Sequence, residues 1–167
     1  MNTDLFEDFK SFFTPLTLKK NEFLVKENEV CKYFCFIEEG ILQHALLVDD
    51  EEKTTYLALK NSFLKSFLLN VPSRKFVKAI HECKLWVIDQ DSFQKLLKEN
   101  KTFHHFYYTL IEKHICLIDD YRIDLLTLTP EERYKKLLEN EPKLLNEVPL
   151  HYLSSFLGIS SRHMSRI

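Results

Sequence analysis

Glycine is almost missing from this chain. Gly40 and Gly158 are the only two in 167 residues, so no glycine-rich loop can cradle a phosphate, and P-loop and dinucleotide-binding folds are excluded. Cysteine is sparse and unpatterned. Cys31, Cys35, Cys83 and Cys116 fit neither a zinc pair nor a small disulfide scaffold, and they read as reduced core thiols of a cytoplasmic chain. No run of about eighteen apolar residues occurs, as a membrane span requires. No charged-then-apolar N-terminus reads as a signal peptide, and no membrane partner is expected. Nucleophile motifs, paired-carboxylate signatures and HExxH helices are all missing, so no enzyme is expected. His104 and His105 are adjacent in a helical stretch and point apart, so neither a metal nor another cofactor is expected there. An excess of one charge is missing as well. With 23 Lys+Arg against 25 Asp+Glu the net charge is −2, and any affinity for a polyanion must come from a local basic face.

What is present is a soluble, core-forming composition, 45% apolar and 29% charged. Asp4 to Phe13 patterns as a short amphipathic helix, stopped by Thr14-Pro15. From Leu16 the period shortens. Strands are predicted near 16–19, 22–25, 33–38, 41–48, 54–59, 77–79 and 84–88, separated by charged turns such as Asp49-Asp50-Glu51-Glu52-Lys53. Several short strands at close spacing imply an antiparallel sandwich or barrel. Asp91 is expected to cap a helix over 92–98, and a longer helix is expected from about Thr102 to Thr127. Its apolar stripe includes Phe103, Phe106, Leu110, His114, Leu117 and Tyr121. The stripe is wider than packing on one sheet needs, which points to a second copy of the chain lying on its other side.

Thr129-Pro130-Glu131-Glu132 is a helix start: Thr caps, Pro takes the first position and Glu132 closes a capping box. It divides the chain into a domain over 1–128 and a helical domain over 129–167. In the latter, Pro149 is placed as a first helical residue, with Leu150, Leu153 and Leu157 on one face. Gly158 then turns the chain, Ile159 plugs the turn, and Ser160 or Ser161 caps a second helix carrying Arg162, His163, Ser165 and Arg166. Two short helices with a Gly turn and arginines near the start of the second pattern as a helix-turn-helix, in which Arg forks onto guanine. An ordinary αα-hairpin with a solvated polar face is the alternative.

The strand-rich first part, the long helix, the Leu128-Thr129-Pro130-Glu131-Glu132-Arg133-Tyr134 junction, Val148-Pro149-Leu150 and Leu157-Gly158-Ile159-Ser160 together resemble the Crp/Fnr family of bacterial transcription regulators. The resemblance implies an α+β fold: an antiparallel, jelly-roll-like β-roll as sensor, a long dimer helix, and a winged-type helix-turn-helix. It implies homodimeric DNA binding. Ser160, Ser161, Arg162, His163, Ser165 and Arg166 would face the DNA, with His163 where many members carry a base-reading Glu. Two departures stand out. The cyclic-nucleotide cassette of the family needs Gly-Glu and Arg-Ser; here those positions read Ser62-Phe63 and Ser73-Arg74, so cAMP is not expected to bind. Phe63, Ser73 and Arg74 are left as the candidate pocket of an unknown small effector. The family continues into a β-hairpin wing, whereas this sequence stops at Ile167 inside the recognition helix, so a C-terminal stretch is expected to be missing.

Overall fold

The computed structural model describes residues 4–64, 71–164 and 166. By contacts they fall into two compact units, Met1–Tyr107 and Tyr108–Ile167, which meet inside the long helix. The first unit begins with α1 (Asp4–Glu7) and a 3₁₀ turn (Lys10–Phe12) where one continuous helix was expected. Phe6, Phe9 and Phe13 are buried while Phe12 is half exposed, so the segment is broken to aim three rings at one surface.

Among the described residues eight strands follow: β1 (Thr14–Leu18), β2 (Phe23–Val25), β3 (Tyr33–Glu39), β4 (Leu42–Val48), β5 (Glu51–Ala58), β6 (Ser62–Leu64), β7 (Phe76–Ala79) and β8 (Cys83–Asp89). They make two antiparallel four-stranded sheets, ordered β1-β8-β3-β6 and β2-β7-β4-β5. The β4–β5 turn is tighter than the run of charges suggested. Val48 pairs with Glu51, leaving Asp49 and Asp50, both at positive φ, as a two-residue turn whose twist matches the strands. Gly40 has φ +93°, and a Cβ there would stand 2.6 Å from Cys83 Sγ and 2.7 Å from the Glu82 carbonyl. No other residue fits that crossing of β3 and β8.

Alternation along β3 gives the first sheet two apolar faces. Cys35 and Ile37 point one way; Phe34 and Phe36 point the other. The phenylalanines on the second face meet the helices. Phe6 stacks on Phe36 at 4.0 Å, Phe63 of β6 stacks on Phe34 at 5.4 Å, and Phe93 packs on Phe34 at 4.9 Å. Phe93 belongs to α2 (Gln90–Glu99). The start of α3 (Lys101–Thr127) adds Phe103, which packs on Phe9 and Phe93.

The cap of α2 is Asp89, not Asp91. Its carboxylate accepts the Ser92 N–H at 3.0 Å, and that bond holds the Asp89 carboxyl below the usual range. A depressed folded value means that the stabilisation is present above the unfolded pKa and lost as pH falls through the folded one. Asp89→Ala should cost about 1 kcal/mol at neutral pH. Urea unfolding should show the gap between variant and wild type closing in strong acid; a gap that persists there would contradict the charged cap.

Candidate functional site

The second unit contains the end of α3 and four shorter helices. The first is α4 (Pro130–Asn140), and its capping box is complete. Thr129 Oγ1 accepts the Glu132 N–H at 3.3 Å, and Glu132 Oε2 accepts the Thr129 N–H at 2.8 Å. Next comes α5 (Pro142–Glu147), absent from the sequence reading, with Pro142 as its first helical residue. Then α6 (Leu150–Leu157) is flanked by Pro149 in extended geometry, one position before the expected one. Leu153 and Leu157 are buried, but Leu150 is 45% exposed and does not share their role.

Gly158 ends α6 in the left-handed region, φ 67° and ψ 31°. Gly158 and Ile159 donate back to the last carbonyls of the helix, which is how a glycine C-cap satisfies them. Ile159 is buried as expected. The next helix, α7 (Ser161–Met164), is capped by Ser160, whose hydroxyl accepts the His163 N–H at 3.2 Å. Met164 is 4% exposed and anchors α7 inward. Arg162, His163 and Arg166 are exposed. The backbone of Ser161 opens α7, and Ser165 lies outside the described residues.

Two contacts escaped sequence reading. Arg133 of α4 donates through Nη1 to the Leu128 carbonyl at 2.7 Å and through Nε to the Leu157 carbonyl at 3.2 Å. One guanidinium thus closes the C-terminal ends of α3 and α6, where carbonyls lack partners and the helix dipole favours a cation. Glu131 Oε1 lies 2.5 Å from His163 Nε2. Both acidic and basic residues stand in the quoted junction motif, but nothing in their spacing shows which helix they reach.

The stripe on α3 divides between two jobs. Phe103 is fully buried against the roll and Leu110 is buried too, so neither is open to a partner. Phe106, His114, Leu117 and Tyr121 are half-buried, and Tyr121 packs edge-on against Phe156 at 5.5 Å. The exposed apolar residues are instead Tyr108, Ile115, Ile118, Ile123, Leu125 and Leu126.

The expected effector residues have different surroundings. Phe63 is buried among Phe6, Phe34 and Phe36. Ser73 Oγ binds the Lys75 carbonyl at 2.6 Å within its own loop, and Arg74 faces solvent. Cys31, Cys35 and Cys83 are buried and Cys116 is exposed. Desolvation pushes the Cys35 thiol far up and the Cys83 thiol to about 11, the values of unreactive core thiols. Among the described residues no His/Cys/Asp/Glu group could hold a metal, and no helix is long and apolar enough to cross a membrane.

Residues 15–100 match the cyclic nucleotide-binding domain; the match ends one residue before α3. No curated protein matches the sequence. Among solved structures, FixK2 from Bradyrhizobium japonicum is similar over 92% of this chain and 81% of its own, at 19% identity and a TM-score of 0.79. A Crp/Fnr-family transcriptional regulator from Eubacterium rectale covers 99% and is itself covered over 81%, at 15% identity and TM-score 0.73. The c-di-GMP-responsive global regulator CLP of Xanthomonas campestris covers 99% and is covered over 89%, at 14% identity and TM-score 0.73. At these identities the likeness is one of fold.

Arg133→Ala should destabilise the second unit by about 2–3 kcal/mol, since hydrogen bonds to a charged donor are worth about 1.5–3 kcal/mol. Urea unfolding followed by far-UV circular dichroism measures it. A loss of about 0.5 kcal/mol, as for an ordinary surface change, would show that the two bonds do not hold the unit together.

Proposed function

This chain belongs to the cyclic nucleotide-binding domain family, and from that premise we propose that it is a transcription regulator of the Crp/Fnr type, binding DNA as a homodimer. One observation carries the reading. A left-handed Gly158 turn joins α6 to α7, and α7 is anchored by Met164 while Arg162 and Arg166 stay in solvent. We read this pair as a helix-turn-helix presenting its cations. Arg162 lies on α7 and Arg166 two residues beyond its end, and both are exposed; guanidinium groups so placed reach guanine edges or phosphates.

The homodimer has its own support. Tyr108, Ile111, Ile115, Ile118, Arg122 and Leu125 recur at alternating spacings of three and four, the a and d positions of a coiled coil. Tyr108, Ile115, Ile118 and Leu125 are each more than half exposed in the single chain. An apolar row of that length on a 27-residue helix fits a second copy of itself. We read the roll as a domain that does not clamp a cyclic phosphate, because Ser73 spends its hydroxyl on Lys75 and Arg74 points into solvent.

The alternative is an interaction module on the same roll whose helices do not engage DNA; its support is the same exposed α3 row. Salt separates the two. Selected genomic DNA should bind with an affinity that falls steeply with ionic strength. Arg162→Ala with Arg166→Ala should lose about 1–3 kcal/mol for each arginine that reads a base. Salt-insensitive or absent binding would favour the interaction module. For the dimer, Ile115→Asp with Ile118→Asp should yield a monomer by sedimentation velocity at concentrations where the wild type is dimeric. A wild type that is itself monomeric at tens of micromolar would refute the seam.

A further inference from the structure

Resting on the DNA-reading assignment above, we propose that Glu131 is a positioning residue for α7: it holds the His163 imidazole, keeps that ring off the DNA, and leaves Arg162 and Arg166 to do the reading. The contact joins the first turns of α4 and α7, with Nε2 and Oε1 2.5 Å apart. Its side chains are 46% and 51% exposed, so the pair lies at the surface, next in sequence to Arg162.

Three features give the pair this role. First, His163 is one of three described points at which α7 is held. Met164 grips it from below and Ser160 caps its start. His163 adds a tie to α4 that limits rotation about the helix axis. Second, the tie uses the imidazole's distal nitrogen, the atom that reaches farthest from the backbone. A nitrogen bonded to a carboxylate is an N–H donor already in use, so the tip of the ring is not available to a base edge. Third, Glu131 is not needed to start α4. Glu132 closes the capping box with Thr129, so Glu131 can be changed without uncapping the helix. The Glu131 carboxyl is held below the usual range by its own backbone N–H and then by His163, which agrees with the geometry.

This reading departs from the expectation that His163 faces the DNA. It also predicts a pattern of losses. A base reader changes the preferred base at one operator position; a positioning pair weakens all operators alike. The experiment is fluorescence anisotropy on the selected operator and its single-base variants, using wild type, His163→Ala, Glu131→Ala, Glu131→Gln and the double alanine variant. Each single alanine change should weaken every operator by a common factor of about three to ten, in the range of pairwise couplings. The double variant should be no worse than either single. Glu131→Gln should retain more affinity than Glu131→Ala, because its amide oxygen still accepts the Nε2–H. Thermal unfolding should be unchanged, since the pair is exposed.

Additive losses, tighter binding by Glu131→Ala, or a new base preference in His163→Ala would each overturn the inference while leaving the regulator intact. Wild type that binds no selected DNA would overturn the assignment on which the inference rests, and the inference with it. A readout independent of DNA is the ¹⁵N spectrum of the His163 ring. It should shift on Glu131→Ala, and a ring that does not respond overturns the pair whatever the DNA result.

Discussion

The second unit hangs on the Arg133 guanidinium. It donates to the last carbonyls of two different helices, Leu128 after α3 and Leu157 at the end of α6. Both are places where a helix runs out of internal partners. The same α4 that carries Arg133 is fixed at its start by the capping box and is tied to α3 by Lys136, whose Nζ contacts both Asp124 oxygens at 2.6–2.7 Å. The end of α6, just before the Gly158 turn, is therefore tied to the end of α3 by this side chain, beside the Tyr121–Phe156 ring contact. With that guanidinium removed, α6 and α7 keep their own caps but lose their common anchor.

The two units are stabilised in different ways. The first buries an aromatic layer, with Phe6, Phe34, Phe93 and Phe103 all at 2% exposure or less. Each such side chain contributes about 1.5–3 kcal/mol of transfer free energy, with edge-to-face ring contacts adding to it. The second buries mostly single aliphatic residues from short helices, among them Leu137, Leu153, Leu157 and Met164. There, caps and charge-assisted hydrogen bonds are a larger share of the total.

Much of this was legible in the sequence because it is local. The capping box at Thr129 to Glu132 came out residue for residue, since both of its bonds lie within one turn. So did the glycine cap at Gly158 and the plug at Ile159. Strands emerged from alternation to within a few residues, except β6, whose Ser62-Phe63-Leu64 is too short to alternate. What failed was non-local. Asp89 and Asp91 are equivalent by any local rule, and only the end of β8 chooses between them. The α3 stripe was read as serving two sides along its whole length, whereas Phe103 at its start is buried against the roll and the exposed row begins at Tyr108. Arg133 and Glu131 were visible as residues, but the sequence does not say which helix end or which ring they meet.

Trp86 is the only tryptophan in the chain. It lies on β8, half-buried, with Lys10 Nζ 4.7 Å from the centre of its ring. Indole emission therefore originates entirely within the roll. The helical unit, which has no tryptophan of its own, is silent to it. A melt followed by that emission tracks one unit, whereas far-ultraviolet dichroism is dominated by helices from the other. Any mismatch between the two midpoints would measure directly how far the units share a single cooperative transition.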